Sequence, residues 1–303
     1  MVCTLCPRRC GAVRTRLQGN GFCGCPDTFL VSRCGLHPYE EPCICRGSGT
    51  GTIFFTGCNL HCVFCQNRWI SQENNGINVS DETIIQMIHD LKDAGASHIE
   101  LVTPTHYWHK IALLLERCHD EIGIPVVFNS GGYESEEMVS RLSGLVDIWM
   151  PDLKFFDGSL SKDLCGAGDY FDVASKAILK MTEQIPKPVY GTDGELLRGV
   201  IVRHLVLPGH RDDSINLLKA LSEITDPTSV ILSLMSQYTP DFYLGDEHPE
   251  LKRRLTTFEY EKVVSCADSL GFAGYRQELA SAKSSYTPDF EISQRQIKEK
   301  YHA

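Results

Sequence analysis

From Thr52 onward, short apolar runs of strand length alternate with amphipathic segments of helix length. This alternation restricts the chain to folds built on parallel strands joined by helical crossovers. The apolar runs cover 52–56, 98–102, 125–128, 146–150, 200–207, 230–235 and 272–275. Between the first two, Ser80 is placed to cap a helix that runs to about Ala94. Asp81 and Glu82 suit its positive end, Gly95 suits its exit, and Ile84, Ile88 and Leu91 share one face. Helices are also predicted over 107–122, 169–184 and 212–225, the last with Ile215, Leu218 and Leu221 on one side. A further helix starts at Thr256, where Thr256-x-x-Glu259 matches a capping box. About six or seven such repeats fit a doubly wound sheet or a complete or partial β/α barrel. Both folds gather chemistry at the C-terminal ends of their strands.

Residues 1–50 differ: they are rich in Cys, Gly, Pro and Arg and carry no strand or helix period. The division expected is a Cys-rich metal-binding segment over 1–50, a barrel over 51–280 and a C-terminal tail over 281–303. Net charge of -10 argues against nonspecific nucleic-acid binding and against an anionic membrane surface. No apolar stretch approaches the ~20 residues that span a bilayer. Met1-Val2-Cys3 lacks the basic and then apolar pattern of a secretory signal, so a cytoplasmic location is expected. Of 14 cysteines, 11 lie in the first 65 residues. In a reducing compartment, such clustering points to metal binding rather than disulfides.

The loop after the first run reads Cys58-Asn59-Leu60-His61-Cys62-Val63-Phe64-Cys65, a C-x3-C-x2-C pattern. Three thiolates on one loop hold three irons of a cubic cluster, and no fourth local cysteine follows. A cluster that only transfers electrons is normally closed by four cysteines. The open iron is therefore a position for a substrate or cofactor. The competing reading is a zinc site completed by His61 or a distant ligand. Upstream, Cys3, Cys6, Cys10 and Cys23 form a second set, fit for a tetrahedral zinc or another [4Fe-4S] cluster. Cys25, Cys34, Cys43 and Cys45 are spare ligands, whereas Cys118, Cys165 and Cys266 read as structural thiols.

With Phe64 before its last cysteine, the loop resembles the signature of radical S-adenosylmethionine (SAM) enzymes. The resemblance implies a [4Fe-4S] cluster on Cys58, Cys62 and Cys65, with SAM on the fourth iron and Phe64 against its adenine. It also implies cleavage of SAM to methionine and a 5′-deoxyadenosyl radical that abstracts hydrogen. The stretch Thr56–Cys62 with Cys65-Gln66-Asn67 is similar to relatives of pyruvate formate-lyase activating enzyme, which install glycyl radicals. So are Asp152-Leu153-Lys154, where Lys154 would meet the SAM carboxylate, and Val202–Gly209, where Arg203 suits an anionic group. A PflX-like branch is closer still, sharing the Cys-rich start, His37-Pro38-x-x-Glu41-Pro42, Val102–Tyr107 and Gln237–Pro240. By this resemblance the fold is α/β, a partial (β/α)6 TIM-like barrel with a Cys-rich N-terminal segment.

The same comparison assigns Asn129, Ser130 and Gly131 to the ribose and methionine moieties of SAM. Two departures stand out. Where activating enzymes carry G-G-E for the SAM amino group, this chain has Val102-Thr103-Pro104-Thr105, leaving backbone carbonyls and the hydroxyls of Thr103 and Thr105. Where they have a histidine near the ribose, it has Gln237. His204, mid-strand among apolar neighbours, reads as a core histidine. The function expected is a radical SAM oxidoreductase, with activation of a glycyl-radical protein as the named subclass. Modification of a peptide or small molecule, or noncatalytic iron–sulfur or zinc binding, are the alternatives. A flavodoxin- or ferredoxin-type reductant is the expected electron source.

Overall fold

The structure, a computed structural model, describes residues 3–278 and 288–302. Its first strands are β1 (Phe29–His37), β2 (Thr50–Phe55), β3 (Ile77–Val79), β4 (Ile99–Val102) and β5 (Val126–Ser130). They are followed by β6 (Ile148–Pro151), β7 (Val189–Tyr190), β8 (Leu196–Leu205), β9 (Ile231–Met235) and β10 (Gly274–Arg276). Spatial order is β10-β9-β8-β6-β5-β4-β2-β1-β3, with β7 paired to β8. From β2 to β10 the neighbours are parallel and follow chain order, so every crossover steps the same way. A doubly wound sheet reverses direction at a switch point. This sheet does not, and its progression is that of a partial TIM-like barrel.

After the short α1 (Arg68–Ser71), the crossovers carry α2 (Asp81–Asp93), α3 (Trp108–Ile122), α4 (Glu136–Arg141), α5 (Gly158–Cys165) and α6 (Tyr170–Gln184). They continue with α7 (Arg211–Ile224) and α8 (Thr257–Ser269), and α9 (Phe290–Tyr301) packs across β1. Local chemistry sets these boundaries. Ser80 Oγ accepts from the Thr83 N–H at 3.1 Å, and Ile84, Ile88 and Leu91 are buried beneath α2. At α8 both capping-box bonds form: Glu259 N–H to Thr256 Oγ1 at 3.3 Å and Thr256 N–H to Glu259 Oε2 at 3.0 Å.

The long strand β1 corrects the reading of residues 1–50 as lacking regular structure. It pairs antiparallel with β2 and β3, with an irregular register between Val31 and Arg33. Phe29, Leu30, Val31 and Ser32 are all buried, so no polar–apolar alternation announces the strand. Part of the expected 281–303 tail lies outside the described residues, and α9 is its described portion.

Aromatic packing fills the core. Trp149 of β6 is fully buried, its ring 5.3 Å from Phe128 of β5. Phe29, Phe55 and Tyr107 form a second cluster with centroids 5.2–5.8 Å apart. Replacing Trp149 by Ala is expected to cost about 3–5 kcal/mol in chemical denaturation. Leu244→Ala, at a side chain 75% exposed, should stay within about 0.5 kcal/mol.

Candidate functional site

The three-cysteine loop leaves β2 through Gly57, whose φ of +76° places the backbone in the left-handed region. A Cβ there would stand 2.1 Å from Cys25 Sγ and 2.8 Å from the Cys23 carbonyl, so the turn requires glycine. Cys58, Cys62 and Cys65 then reach one cavity of about 520 Å³. Leu60 N–H donates to Cys58 Sγ at 3.3 Å, and Ser71 Oγ lies 3.3 Å from Cys65 Sγ. Burial, with Cys62 beside them, pushes the Cys58 and Cys65 thiols up. Cys62 is raised first through its hydrogen bond with Cys165 and then by burial. Crowded buried thiols of this kind ionise readily only against a positive partner, and N–H···S contacts tune a cluster's sulfurs. The donor set fits an iron–sulfur cluster.

Two bonds anchor the loop to the barrel. Asn59 Nδ2 donates to the Tyr133 carbonyl at 2.6 Å, and Val63 N–H donates to the Leu164 carbonyl at 2.9 Å. Contrary to its reading as an isolated structural thiol, Cys165 lies against Cys62.

Across the cavity the strand ends are joined by charge. Lys154 Nζ is 2.6 Å from Asp152 Oδ2, and Arg203 Nε is 3.0 Å from Asp152 Oδ1. Arg203 Nη2 also donates to Asn129 Oδ1 at 2.7 Å, while Asn129 Nδ2 donates to Glu100 Oε1 at 2.6 Å. Burial opposes the charge on Asp152, but Lys154 and Arg203 prevail and hold its carboxyl below the usual range. Burial likewise opposes Lys154, yet Asp152 and Cys62 raise it, keeping it cationic.

Thr103, Asn129, Ser130 and Gly131 line this cavity together with Asp152, Lys154, Arg203 and Gln237. Two expected contacts lie elsewhere. Phe64 is buried edge-on against Phe155 and Tyr238, at 6.2 and 6.4 Å, and Leu60 faces the cavity instead. Thr105 is buried with its hydroxyl on Glu134 Oε1 at 2.9 Å. His204 is a core histidine, bonded through Nδ1 to the Leu153 carbonyl and through Nε2 to Ser214 Oγ.

Several acids were given no role from sequence. Glu40 and Glu41, in the motif after β1, line the cavity wall beside Arg203, with Glu40 3.8 Å from it. Burial pushes Glu40 up to about 7 against the pull of Arg203. Glu100 and Glu134 are buried behind the wall. The His37-Pro38-x-x-Glu41-Pro42 motif was the available signal for the first pair; Glu134 had none.

At the N-terminus, Cys6 is pushed up to about 12 by burial, with smaller repulsions from Cys23, Cys3 and Cys10, so the four share one electrostatic neighbourhood. Among the described residues, no group of three or more His, Cys, Asp or Glu is arranged to hold a single metal ion. All 14 cysteines are free thiols.

Glu134 gives the site a measurable pH signature. Burial raises its carboxyl to about 7. A raised acid binds its proton more tightly folded than unfolded, so its contribution is present below the usual carboxylate range and is lost as pH rises through about 7. The melting temperature of the wild type should therefore fall relative to Glu134→Gln between about pH 5 and pH 8. A gap between the two that does not change with pH would contradict this assignment.

The profile of the radical SAM superfamily matches residues 52–221. An uncharacterized protein of Methanocaldococcus jannaschii is 30% identical over 274 residues, covering 88% of this chain and 74% of its own. Among solved structures, Streptococcus suis SuiB bound to its precursor peptide SuiA has a TM-score of 0.52 at 17% identity, over 75% of this chain and 48% of SuiB. The FeFe-hydrogenase maturase HydG of Carboxydothermus hydrogenoformans has a TM-score of 0.50 at 12% identity, over 82% of this chain and 65% of HydG. The chain thus spans about half the length of SuiB, and both likenesses concern the fold alone. No helix among the described residues is long and apolar enough to cross a membrane. The profile covers more than half of the chain and the archaeal relative most of it, and on that evidence the protein belongs to the radical SAM superfamily, whose chemistry uses a [4Fe-4S] cluster and SAM.

Proposed function

We propose that this chain reductively cleaves SAM at a [4Fe-4S] cluster held by Cys58, Cys62 and Cys65 and uses the resulting 5′-deoxyadenosyl radical to abstract hydrogen. The observation that carries the reading is the meeting of these three cysteines with the Asp152–Lys154 pair in one cavity. When bound, the cluster and SAM supply the electron transfer and the radical; the protein supplies position and exclusion of water.

Each part of that role has residues suited to it. Leu60 N–H and Ser71 Oγ stabilise charge on two of the sulfurs. Lys154 offers a fixed cation for the SAM carboxylate, and Asp152 keeps it in place. Asn129, Ser130 and Gly131 offer polar atoms and close backbone approach at the end of β5, and Gln237 offers its amide from beyond β9. Phe54, Phe55, Val102 and Met235 make the apolar wall that shields a radical from solvent. A flavodoxin- or ferredoxin-type protein is the proposed reductant.

For the target, the resemblance of Asp152-Leu153-Lys154 and Val202–Gly209 to activating enzymes supports a glycyl-radical protein. The alternative target, a peptide or small molecule, is supported by the polar wall of Glu40 and Glu41, which faces the same cavity as the cysteines.

Anaerobically reconstituted protein with dithionite and SAM should release 5′-deoxyadenosine and methionine, and Cys62→Ala should abolish both. A cluster that assembles without cleaving SAM would refute the proposal. Lys154→Met should retain iron while weakening SAM binding on the order of tenfold to a hundredfold, as loss of a charge-assisted contact does. A glycyl-radical signal in a co-incubated partner supports activation; SAM cleavage with product formation on a peptide and no such signal favours the alternative.

A further inference from the structure

Residues 1–26 hold four arginines and neither aspartate nor glutamate, in a chain whose net charge is -10. None of the described ones lines the cavity, yet the segment packs directly on the cysteine loop. Arg8 is the clamp. Its Nε donates to the Asn59 carbonyl at 2.8 Å and its Nη2 to the Cys165 carbonyl at 3.2 Å, joining the loop to the end of α5. Its guanidinium also covers Phe22 at 4.0 Å, and Phe22 stacks on His61 of the loop with ring centroids 4.1 Å apart. Phe22 and His61 are both half-buried, so the loop meets solvent here through two aromatic rings. Arg14 turns inward, onto the Pro26 and His106 carbonyls at 2.6 and 2.7 Å.

The remaining arginines are free. Arg9, Arg16 and, from the start of α1, Arg68 are exposed, and none meets a carboxylate among the described residues. Arg9 is held in the left-handed region, with φ of +41°, by a turn that its own N–H closes on the Cys6 carbonyl at 3.0 Å. Burial and then Arg8 and Arg68 lower the basicity of His61, which places Arg68 at the edge of the same ring stack. On the hairpin bridged at Arg14 and Gly19, Val13 and Leu17 are 54% and 75% exposed. Unpaired arginines, aromatic rings and a lack of acids are the composition of a protein-binding surface.

We propose that this face, from Arg9 and Phe22 to His61 and Arg68, is the docking surface for an acidic one-electron carrier protein that reduces the cluster through the outside of its loop. The inference rests on the cluster reading above and adds the surface that reading leaves open. Two considerations select the occupant. Opposite charge steers a partner to an unpaired basic face on an otherwise acidic molecule. Electron transfer also weakens steeply with distance, so a carrier must approach where the cysteine loop nears solvent, outside the cavity that SAM and substrate fill. The carrier loses one electron and the cluster gains it; no bond forms or breaks.

Oxidised flavodoxin is the probe for binding, flavodoxin hydroquinone the protein donor, and dithionite a donor too small to need a docking face. In anaerobically reconstituted protein, Arg9→Glu combined with Arg68→Glu should weaken flavodoxin binding and slow flavodoxin-driven cluster reduction, each by about tenfold or more. Iron content and reduction by dithionite should match the wild type. Lys219→Glu, at an exposed lysine on α7, should change binding and reduction less than about twofold. Raising salt from about 0.05 M to about 0.5 M should bring the wild type down to the double variant. If the double variant assembles no cluster, Arg9→Glu alone and the salt dependence of the wild type give the same reading. Flavodoxin affinity unaffected by charge reversal, an equal loss in Lys219→Glu, or a wild type insensitive to salt would overturn the inference. So would a face that binds RNA or a second copy of the chain in place of flavodoxin. A wild type with no cluster that dithionite can reduce refutes the proposed function instead, and this inference falls with it.

Discussion

A half-buried carboxylate, Asp152, holds the working end of the barrel together. It stands at the exit of β6 between Lys154 and Arg203, and its backbone bridges to Arg203 at the end of β8. Arg203 passes the connection to Asn129 on β5, and Asn129 passes it to Glu100 on β4. The Tyr170 hydroxyl lies 2.8 Å from both the Gly131 and the Asp152 carbonyls and accepts the Lys154 N–H, tying α6 to the same point. Hydrogen bonding between adjacent strands alone would leave these loop ends free to spread. Lys154 and Arg203 each hold one oxygen of the same carboxylate, so the members keep one another in register.

That network also explains why the cysteine loop is precise. Asn59 bonds to Tyr133, and Tyr133 stacks on Tyr170 with ring centroids 6.2 Å apart. The cluster loop, the loop after β5 and the Asp152-Leu153-Lys154 turn therefore share one rigid support. Close approach adds a steric condition. At Gly132, with φ of +82°, a Cβ would fall 1.9 Å from the Asp152 carbonyl, which fixes glycine at that point. Reactive chemistry that must exclude water benefits from a site whose donors and charges are already placed.

Much of this was legible in the chain. The alternation of runs located the parallel strands within a few residues, because buried strands read as continuous apolar segments. Ser80 and Thr256 announced two helix starts through their caps. The alternation alone left a doubly wound sheet and a barrel open, since both have the same local pattern, and it was the resemblance that implied the partial barrel seen in the strand order. At the site, Cys58, Cys62 and Cys65 were readable from spacing, and Asp152 and Lys154 from resemblance. Glu40 was hidden because its role depends on β1, whose irregular register and continuously buried first four residues erase periodicity. Glu134 was hidden because its pairing with Thr105 spans two crossover loops, a contact no local pattern encodes. Phe64 fits the motif in sequence, yet its ring packs on Phe155 and Tyr238 rather than on the cavity.

In the proposed function SAM binds an open iron of a cluster on Cys58, Cys62 and Cys65. That binding is tested most directly by hyperfine spectroscopy of the reduced, reconstituted protein with SAM isotopically labelled at its amino nitrogen and carboxylate oxygen. The expected result is a [4Fe-4S] signal that changes on adding SAM, couples to both labels and is absent in Cys58→Ala. A cluster signal with no coupling to either label, or a three-cysteine loop that takes up zinc and assembles no cluster, would contradict it.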